Sequence, residues 1–297
     1  MRSISISLLL IVTLVTTRFA VAANSDAPQE LQLAKAAMAT NLDLAEKHIE
    51  TALTQAPQNA EVQFICGRIM GQQAENAIFS ALSYARKSLA CLKQAVALQP
   101  ENTAYRKGLM SFYLGAPGIA GGDKQLAWQE VEQITQLSAL QGTLAQLSYY
   151  RQTEQTTQYQ QLLAHSRQHY PEQAEFHYRY GLVLQDNKQY KDAFHAFTAT
   201  TLAAQDEDGI YRLNAWYQIG RTALFSGQQL EQGIQALNYY LANAPEADNL
   251  PDKPWAHFRL AQLHKLNGDN AMMQQHLAQA GETNDKELQR EIRRLQP

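Results

Sequence analysis

The sequence predicts an all-α superhelical array of helical hairpins, and three observations predict it. Pro, Gly and Ala residues recur at a period of about 34 to 41 residues. Prolines that punctuate helices stand at Pro57, Pro100, Pro171 and Pro245, the last two about two repeats apart. Small residues mark the same phase on the preceding helices, at Gly67, Gly108, Gly181, Gly220 and Ala261. A period of this size means units that each stack only on their neighbours, around a continuous seam rather than a ball-shaped core.

The chain has 297 residues, a formal net charge of -3, 45% hydrophobic and 18% charged residues. That hydrophobic content is ordinary for a folded protein and speaks against wholesale disorder. No basic excess exists to neutralise a phosphate backbone, so a nucleic-acid partner is not expected.

The first 22 residues read as an export leader. Arg2 supplies a positive start, and Leu8 to Val15 an apolar stretch broken only by Thr13. That stretch is short for a bilayer span. Ala20-Val21-Ala22 fits the small-x-small cleavage rule, which starts the mature chain near Ala23. The alternative is a retained membrane anchor. No second apolar span follows, so the mature chain, residues 23–297, is expected to be a single soluble domain in a bacterial periplasm. An exported chain matures in an oxidising compartment, where two thiols can join. The two cysteines, Cys66 and Cys91, sit on the two helices of one predicted repeat, either bonded or as buried free thiols.

The repeats follow in order. Ala45, Ile49, Ala52 and Pro57 fit a second helix whose partner lies near Leu31 to Met38. Gly67 belongs to the next first helix, but Leu92, Ala95, Leu98 and Pro100 of its partner come late. Residues 71–82 are therefore a long connection or an extended helix. Gly108 is followed by Ala127 and Val131 later than expected, with Ala116-Pro117-Gly118-Ile119-Ala120-Gly121-Gly122 as the extra segment. Leu144 to Tyr150, with Tyr159, Leu163 and Pro171, make a degenerate repeat. The clearest repeat runs from about Glu172 to Gln205. In it Tyr180-Gly181 and Leu184 precede a turn at Asn187-Lys188-Gln189, and Ala193, Phe197 and Thr200 share one face at i, i+4, i+7. Trp216, Ile219-Gly220 and Ala223, then Leu237 and Tyr240, repeat the theme, as do Leu260-Ala261, Gly268-Asp269, Met273, Leu277 and Ala280. Last comes an amphipathic helix with a stripe of Leu288, Ile292 and Leu295. Asn284 and Glu287 are its capping pair, and Arg290, Arg293 and Arg294 form the polar outer side that a terminal repeat needs.

The succession of aromatic, Leu-Gly, Tyr, then Ala, Phe, Ala and Pro resembles the tetratricopeptide repeat (TPR), over about residues 30 to 281. The resemblance implies a TPR-like α-α solenoid of about six to seven hairpins, with two irregular insertions and a C-terminal capping helix. It also implies a concave groove lined by the first helix of each pair. Three residues before each small marker stand Phe64, Tyr105, Tyr178, Tyr217 and Phe258, a row that suits an extended peptide or an apolar ligand. Arg68 and Arg221 lie four residues after Phe64 and Tyr217, on the same face, placed to meet a ligand carboxylate.

A plain repeat does not need insertions, so they are candidate sites. Gly121-Gly122-Asp123 precedes a helix that Asp123 is suited to cap. Consecutive glycines also allow an anion nest, but Lys124 follows Asp rather than a second glycine, so this is not a P-loop. A shaped connector is the favoured reading. If the loop binds, Pro117, Gly118 and Ile119 point to an apolar or peptide ligand. His165 and His169 have an i, i+4 spacing that suits zinc, yet no further ligands lie near, and no metal or cofactor is expected. No Ser-His-Asp motif, GxSxG or dinucleotide fingerprint is present, which argues against an enzyme.

The expected function is recognition by a periplasmic TPR adaptor that holds a protein or peptide partner. The resemblance places such proteins among the assistants of envelope complexes. The alternative is a binder of small apolar or carboxylate molecules in a solute-uptake system, with a lined tunnel where the insertions meet.

Overall fold

The computed structural model describes residues 27–247 and 249–295. The expected leader over 1–22 and the start near Ala23 lie outside the described residues. The described fold is all-α, with no strand among the described residues beyond an isolated bridge between Gln173 and Gln205. Two compact units divide the chain, one up to Glu130 and one from Val131 onward.

The first unit contains α1 (Ala27–Ala37), α2 (Leu42–Gln55), α3 (Ala60–Asn76), α4 (Ala81–Leu98) and α5 (Thr103–Gly115), then a 3-10 turn at Gly118–Ala120. Helix α6 (Lys124–Leu137) carries the boundary between the units. The second unit contains α7 (Ala139–Gln152), α8 (Thr156–His169), α9 (Ala174–Asp186), α10 (Tyr190–Leu202), α11 (Ile210–Ser226), α12 (Leu230–Asn243), α13 (Lys253–Leu266), α14 (Asn270–Ala280) and α15 (Lys286–Leu295). Among the described residues α1 packs on α2, α3 on α4, α7 on α8, α9 on α10, α11 on α12 and α13 on α14, and α15 follows as the expected end helix.

Helix starts follow from the side chains before them. Asn59 accepts from the Glu61 and Val62 amides at 2.9 and 3.1 Å, and Asn102 accepts from those of Ala104 and Tyr105. Each satisfies two orphan donors of its helix. Both asparagines stand two residues after a helix-ending proline, so Pro57-Gln58-Asn59 and Pro100-Glu101-Asn102 stop one helix and start the next. A second recurrent device follows six residues after the proline. Gln63 donates to the Pro57 carbonyl at 2.7 Å, Arg106 to that of Pro100 at 2.6 Å, and His177 to that of Pro171 at 2.8 Å. Each tethers a first helix to the turn that precedes it. For His177 this fixes the proton on Nε2, and burial lowers its pKa.

The small markers are small for steric reasons. A Cβ at Gly181 would lie 2.6 Å from the Phe197 ring, and one at Gly220 would lie 2.3 Å from Leu237. The first unit's core is built from Leu31, Ala34, Ile49, Val62, Ile69 and Met70, and a disulfide joins Cys66 to Cys91 across α3 and α4. Residues 71–82 are resolved in favour of extended helices, since α3 runs to Asn76 and α4 begins at Ala81.

One capping assignment is corrected. Asp285, not Asn284, caps α15: its carboxylate accepts from the Glu287 and Leu288 amides at 2.8 and 3.2 Å. The Trp255 indole donates to the other oxygen at 2.9 Å, and these donors hold the Asp285 pKa low, with the indole foremost. The aspartate wins because it reaches both the helix amides and α13. The expected apolar stripe holds, with Leu288 and Ile292 buried and Arg290, Arg293 and Arg294 exposed.

Candidate functional site

The two departures from the repeat pattern build one site, an apolar trough of about 730 Å³ in the first unit. Its base is α4, through Leu82, Ala85 and Leu92. One wall is α3 and the other is α5 with residues 116–120. The lining includes Phe64 on α3, Gly108 on α5 and Leu92 on α4. There Phe64 stacks on Tyr105 at 4.7 Å, and its ring lies 2.6 Å from where a Gly108 Cβ would sit. Glu75, Ala81, Pro117, Ile119 and Ala120 line the trough as well.

Glycine creates the volume. A Cβ at Gly67 would strike Leu92 at 2.5 Å, so that residue is small for packing. Gly71, one turn on, is different: its nearest neighbour would be the Ser88 hydroxyl at an ordinary 3.5 Å. A Cβ at Gly115 would meet nothing within 4 Å. A glycine inside a helix costs about 0.5–1 kcal/mol relative to alanine, and packing gives Gly71 no reason to bear that cost.

Polar groups edge the trough without partners of their own. Arg68, Gln72 and Glu75 form one exposed stripe on α3, at i, i+4, i+7, and make no hydrogen bond or ion pair among the described residues; Ser111 on α5 is likewise uncommitted. Three large apolar side chains of the two insertions are exposed: Ile78 86%, Phe79 99% and Ile119 75%. The loop from Ala77 to Ser80 joins α3 to α4, and Ile119 follows α5. The C-terminal ends of α3 and α5 therefore carry all three.

The aromatic row divides. Phe64 lines the trough and is partly buried, and Arg68 lines it too. Tyr105, Tyr217 and Phe258 do not face a groove: they are 8%, 6% and 1% exposed, Tyr105 against Phe64 of α3 and the other two within their own hairpins. Tyr217 stacks on Tyr240 at 5.4 Å, and Phe258 meets Trp255. The physical reason is close helix packing at the marker, where Leu92, Phe64, Phe197 and Leu237 fill the space beside Gly67, Gly108, Gly181 and Gly220. Tyr178 is partly buried between Phe197 and Tyr211, and burial raises its pKa. Arg221 is also half-buried, over the Phe225 ring at 5.2 Å, with burial lowering its pKa.

Tyr178 lines a second, more polar hollow in the second unit, together with Leu144, Glu175, Asp206 and Tyr211. Arg179 Nε donates to Glu175 at 2.8 Å there. Burial, then the Glu175 charge, pushes the Tyr211 pKa up to about 12. Two of this hollow's carboxylates are already engaged, Glu175 by Arg179 and Asp206 by Arg212.

The glycine loop is a connector. The Gly121 and Gly122 amides donate to the Gly118 and Pro117 carbonyls, and the Asp123 amide donates to Tyr113. None remains to cradle an anion. Gly121 takes φ of 101°, and a Cβ at Gly122 would sit 1.7 Å from the Ala116 oxygen, so both glycines serve the turn. Asp123 caps α6, accepting from the Gln125 and Leu126 amides at 2.7 and 3.1 Å. Pro117 and Ile119 line the trough; Gly118, Gly121 and Gly122 shape the loop that presents them. His165 and His169 stack on one another at 5.9 Å, and no cluster of metal-ligating side chains occurs among the described residues. Sequence reasoning missed Gly71, Gln72, Glu75, Ile78, Phe79 and Ser111. The adjacent apolar pair Ile78-Phe79, inside a segment that breaks the repeat, was a visible signal.

No protein-family model matches the chain, and no curated protein matches it. Solved structures do. The APC/C hetero-tetramer Cut9-Hcn1 superposes with a TM-score of 0.56 at 12% identity, covering 91% of this chain and 48% of that chain. The human IFIT1 dimer with m7Gppp-AAAA gives a TM-score of 0.54 at 14% identity, over 91% and 62%. This chain thus spans about half to two thirds of those two. A Pseudomonas aeruginosa PilF structure gives a TM-score of 0.48 at 11% identity, over 92% and 99%. The fold shared with the first two is an all-α helical-repeat array. No helix among the described residues is long and apolar enough to cross a membrane.

Proposed function

We propose that the protein is an exported, non-catalytic TPR adaptor, one solenoid domain over residues 23–297, which holds an apolar segment of a protein or peptide partner in the α3–α4–α5 trough. One observation carries this reading: both irregular insertions line one apolar hollow, where Ile119 is exposed, and the first insertion also exposes Ile78 and Phe79. Apolar surface of this kind marks an interaction site. The Cys66–Cys91 disulfide and the leader support a periplasmic setting, where such bonds persist. An envelope complex is the proposed context.

A photo-crosslinking amino acid at Ile119 tests the site. Mass spectrometry of the product is expected to identify a captured protein there, and none from the same group placed at Glu207 in the second unit. Equal capture at both positions, or none at Ile119, would count against the trough. A second reading is favoured by the hollow's volume, which lies in the range of small-molecule pockets. A retained apolar molecule in native mass spectrometry of the purified protein would move the conclusion to that reading.

A further inference from the structure

We propose that a partner of this trough is a second copy of the chain, docked about a two-fold axis with α3 antiparallel to α3 and each copy's Phe79 seated in the other's trough. This rests on the reading of the trough as a protein-binding site and names its occupant.

The first argument is that knob and hole share one surface. The trough is an apolar hollow with unfilled space at Gly71 and Gly115. Phe79 and Ile78, at the end of the same helix, are apolar groups with nothing around them. Phe79 is not among the residues lining its own trough, so the chain does not fill its own hollow. A two-fold operation satisfies both surfaces at once, because an isologous interface places the same patch on each side.

The second argument is charge, and it selects a register. Arg68 and Glu75 lie two turns apart on the exposed stripe of α3, about 10 Å along the axis. Neither has a partner among the described residues. Antiparallel pairing centred between Gly71 and Gln72 sets each Arg68 opposite the other copy's Glu75, twice over. Phe79 lies in the loop just past the C-terminal end of α3, so antiparallel pairing carries it toward the N-terminal half of the other copy's α3, where Phe64 lines the trough. The charges fix the alignment. The glycine at its centre removes the side chain that would hold two helix axes apart, which supplies the missing reason for a glycine at position 71.

Sedimentation of the mature full-length protein tests this, with circular dichroism to confirm that each variant stays helical. Wild type is expected to dimerise. Arg68→Glu alone, which faces like charges across both contacts, is expected to weaken the dimer by about tenfold or more. Arg68→Glu combined with Glu75→Arg restores the pairing in reversed sense and is expected to recover dimerisation. Phe79→Ser is expected to weaken it, and Gln72→Cys to give an intermolecular disulfide near the axis. A wild type that stays monomeric through the millimolar range overturns the proposal. So does a dimer indifferent to Arg68→Glu, or one that the double reversal fails to restore. If the chain is monomeric while Ile119 still captures another protein, the dimer falls and the adaptor reading stands. If the double reversal behaves as expected and Ile119 captures only this chain, the reverse holds.

Discussion

Helix α3 in the first unit and α11 in the second carry the same small-residue marker and present different faces. On α11, Gly220 is pressed against Leu237, Tyr217 stacks on Tyr240, and Arg221 folds over Phe225. Its side chains are spent within their own repeat and on α9, where Thr222 accepts from Gln185 at 2.9 Å. On α3, Gly67 does the same packing work against Leu92, but the helix then runs on to Asn76. Past the marker it carries Gly71, Gln72 and Glu75, none of which packing uses up. Where α11 has Leu224 and Phe225 at the matching positions, α3 has a glycine and an uncommitted glutamine.

The largest expected effect that probes this contrast is removal of the disulfide. Cys66 and Cys91 are 25 residues apart in sequence, and losing such a cross-link costs about 3 kcal/mol in the chain-entropy account. Urea denaturation of the Cys66→Ala/Cys91→Ala variant is expected to show that loss in the first unit, followed through hydrogen exchange of α3 and α4, with α11 and α12 unaffected. A uniform loss across both units would break the comparison.

The next effect is a pair of opposite sign. Gly220→Ala forces a methyl into Leu237 and is expected to cost about 1–3 kcal/mol, as overpacking does. Gly71→Ala has room and is expected to stabilise the isolated chain by about 0.5–1 kcal/mol. Matching signs in thermal unfolding would mean that the two glycines do the same job.

The smallest effect is confined to the second unit and depends on pH. His257, His276 and His264 form a stacked column between α13 and α14, each neighbouring pair 5.4 Å apart. Burial lowers the pKa of His257 and His276; the other two histidines lower that of His276 further, and for His257 Glu282 opposes while Lys253 adds. The folded state therefore binds fewer protons than the unfolded state below the unfolded value of about 6.5. Stability is complete above that pH and erodes as the pH falls through it toward the lowered folded values. Urea midpoints measured between about pH 7.5 and pH 5 should decline, and His276→Gln should flatten the decline.

Much of this was legible in the residues. The hairpin count, the end helix, the role of Asp123 and the special standing of both insertions follow from local chemistry, because helix punctuation and caps act between residues close in sequence. The aromatic row was legible as a row and misjudged as a groove. Spacing shows which face of a helix a residue occupies, but not whether a neighbour reaches it: Tyr217 is met by Tyr240 of α12, and Phe258 packs with Met273 and Leu277 of α14. The cap of α15 moved by one residue because Asp285 gains a bond to Trp255, 30 positions away.

By itself the amino-acid order determined that this chain is a stack of helical hairpins and marked where the stack is irregular. Those features depend on backbone punctuation and on apolar periodicity along single helices. Only the tertiary structure decided which irregularity became a hollow and which a mere turn, and which glycine has a neighbour and which has none. Empty space is a property of several helices together, set by how far side chains from distant positions reach toward one another, and no single stretch of sequence contains it.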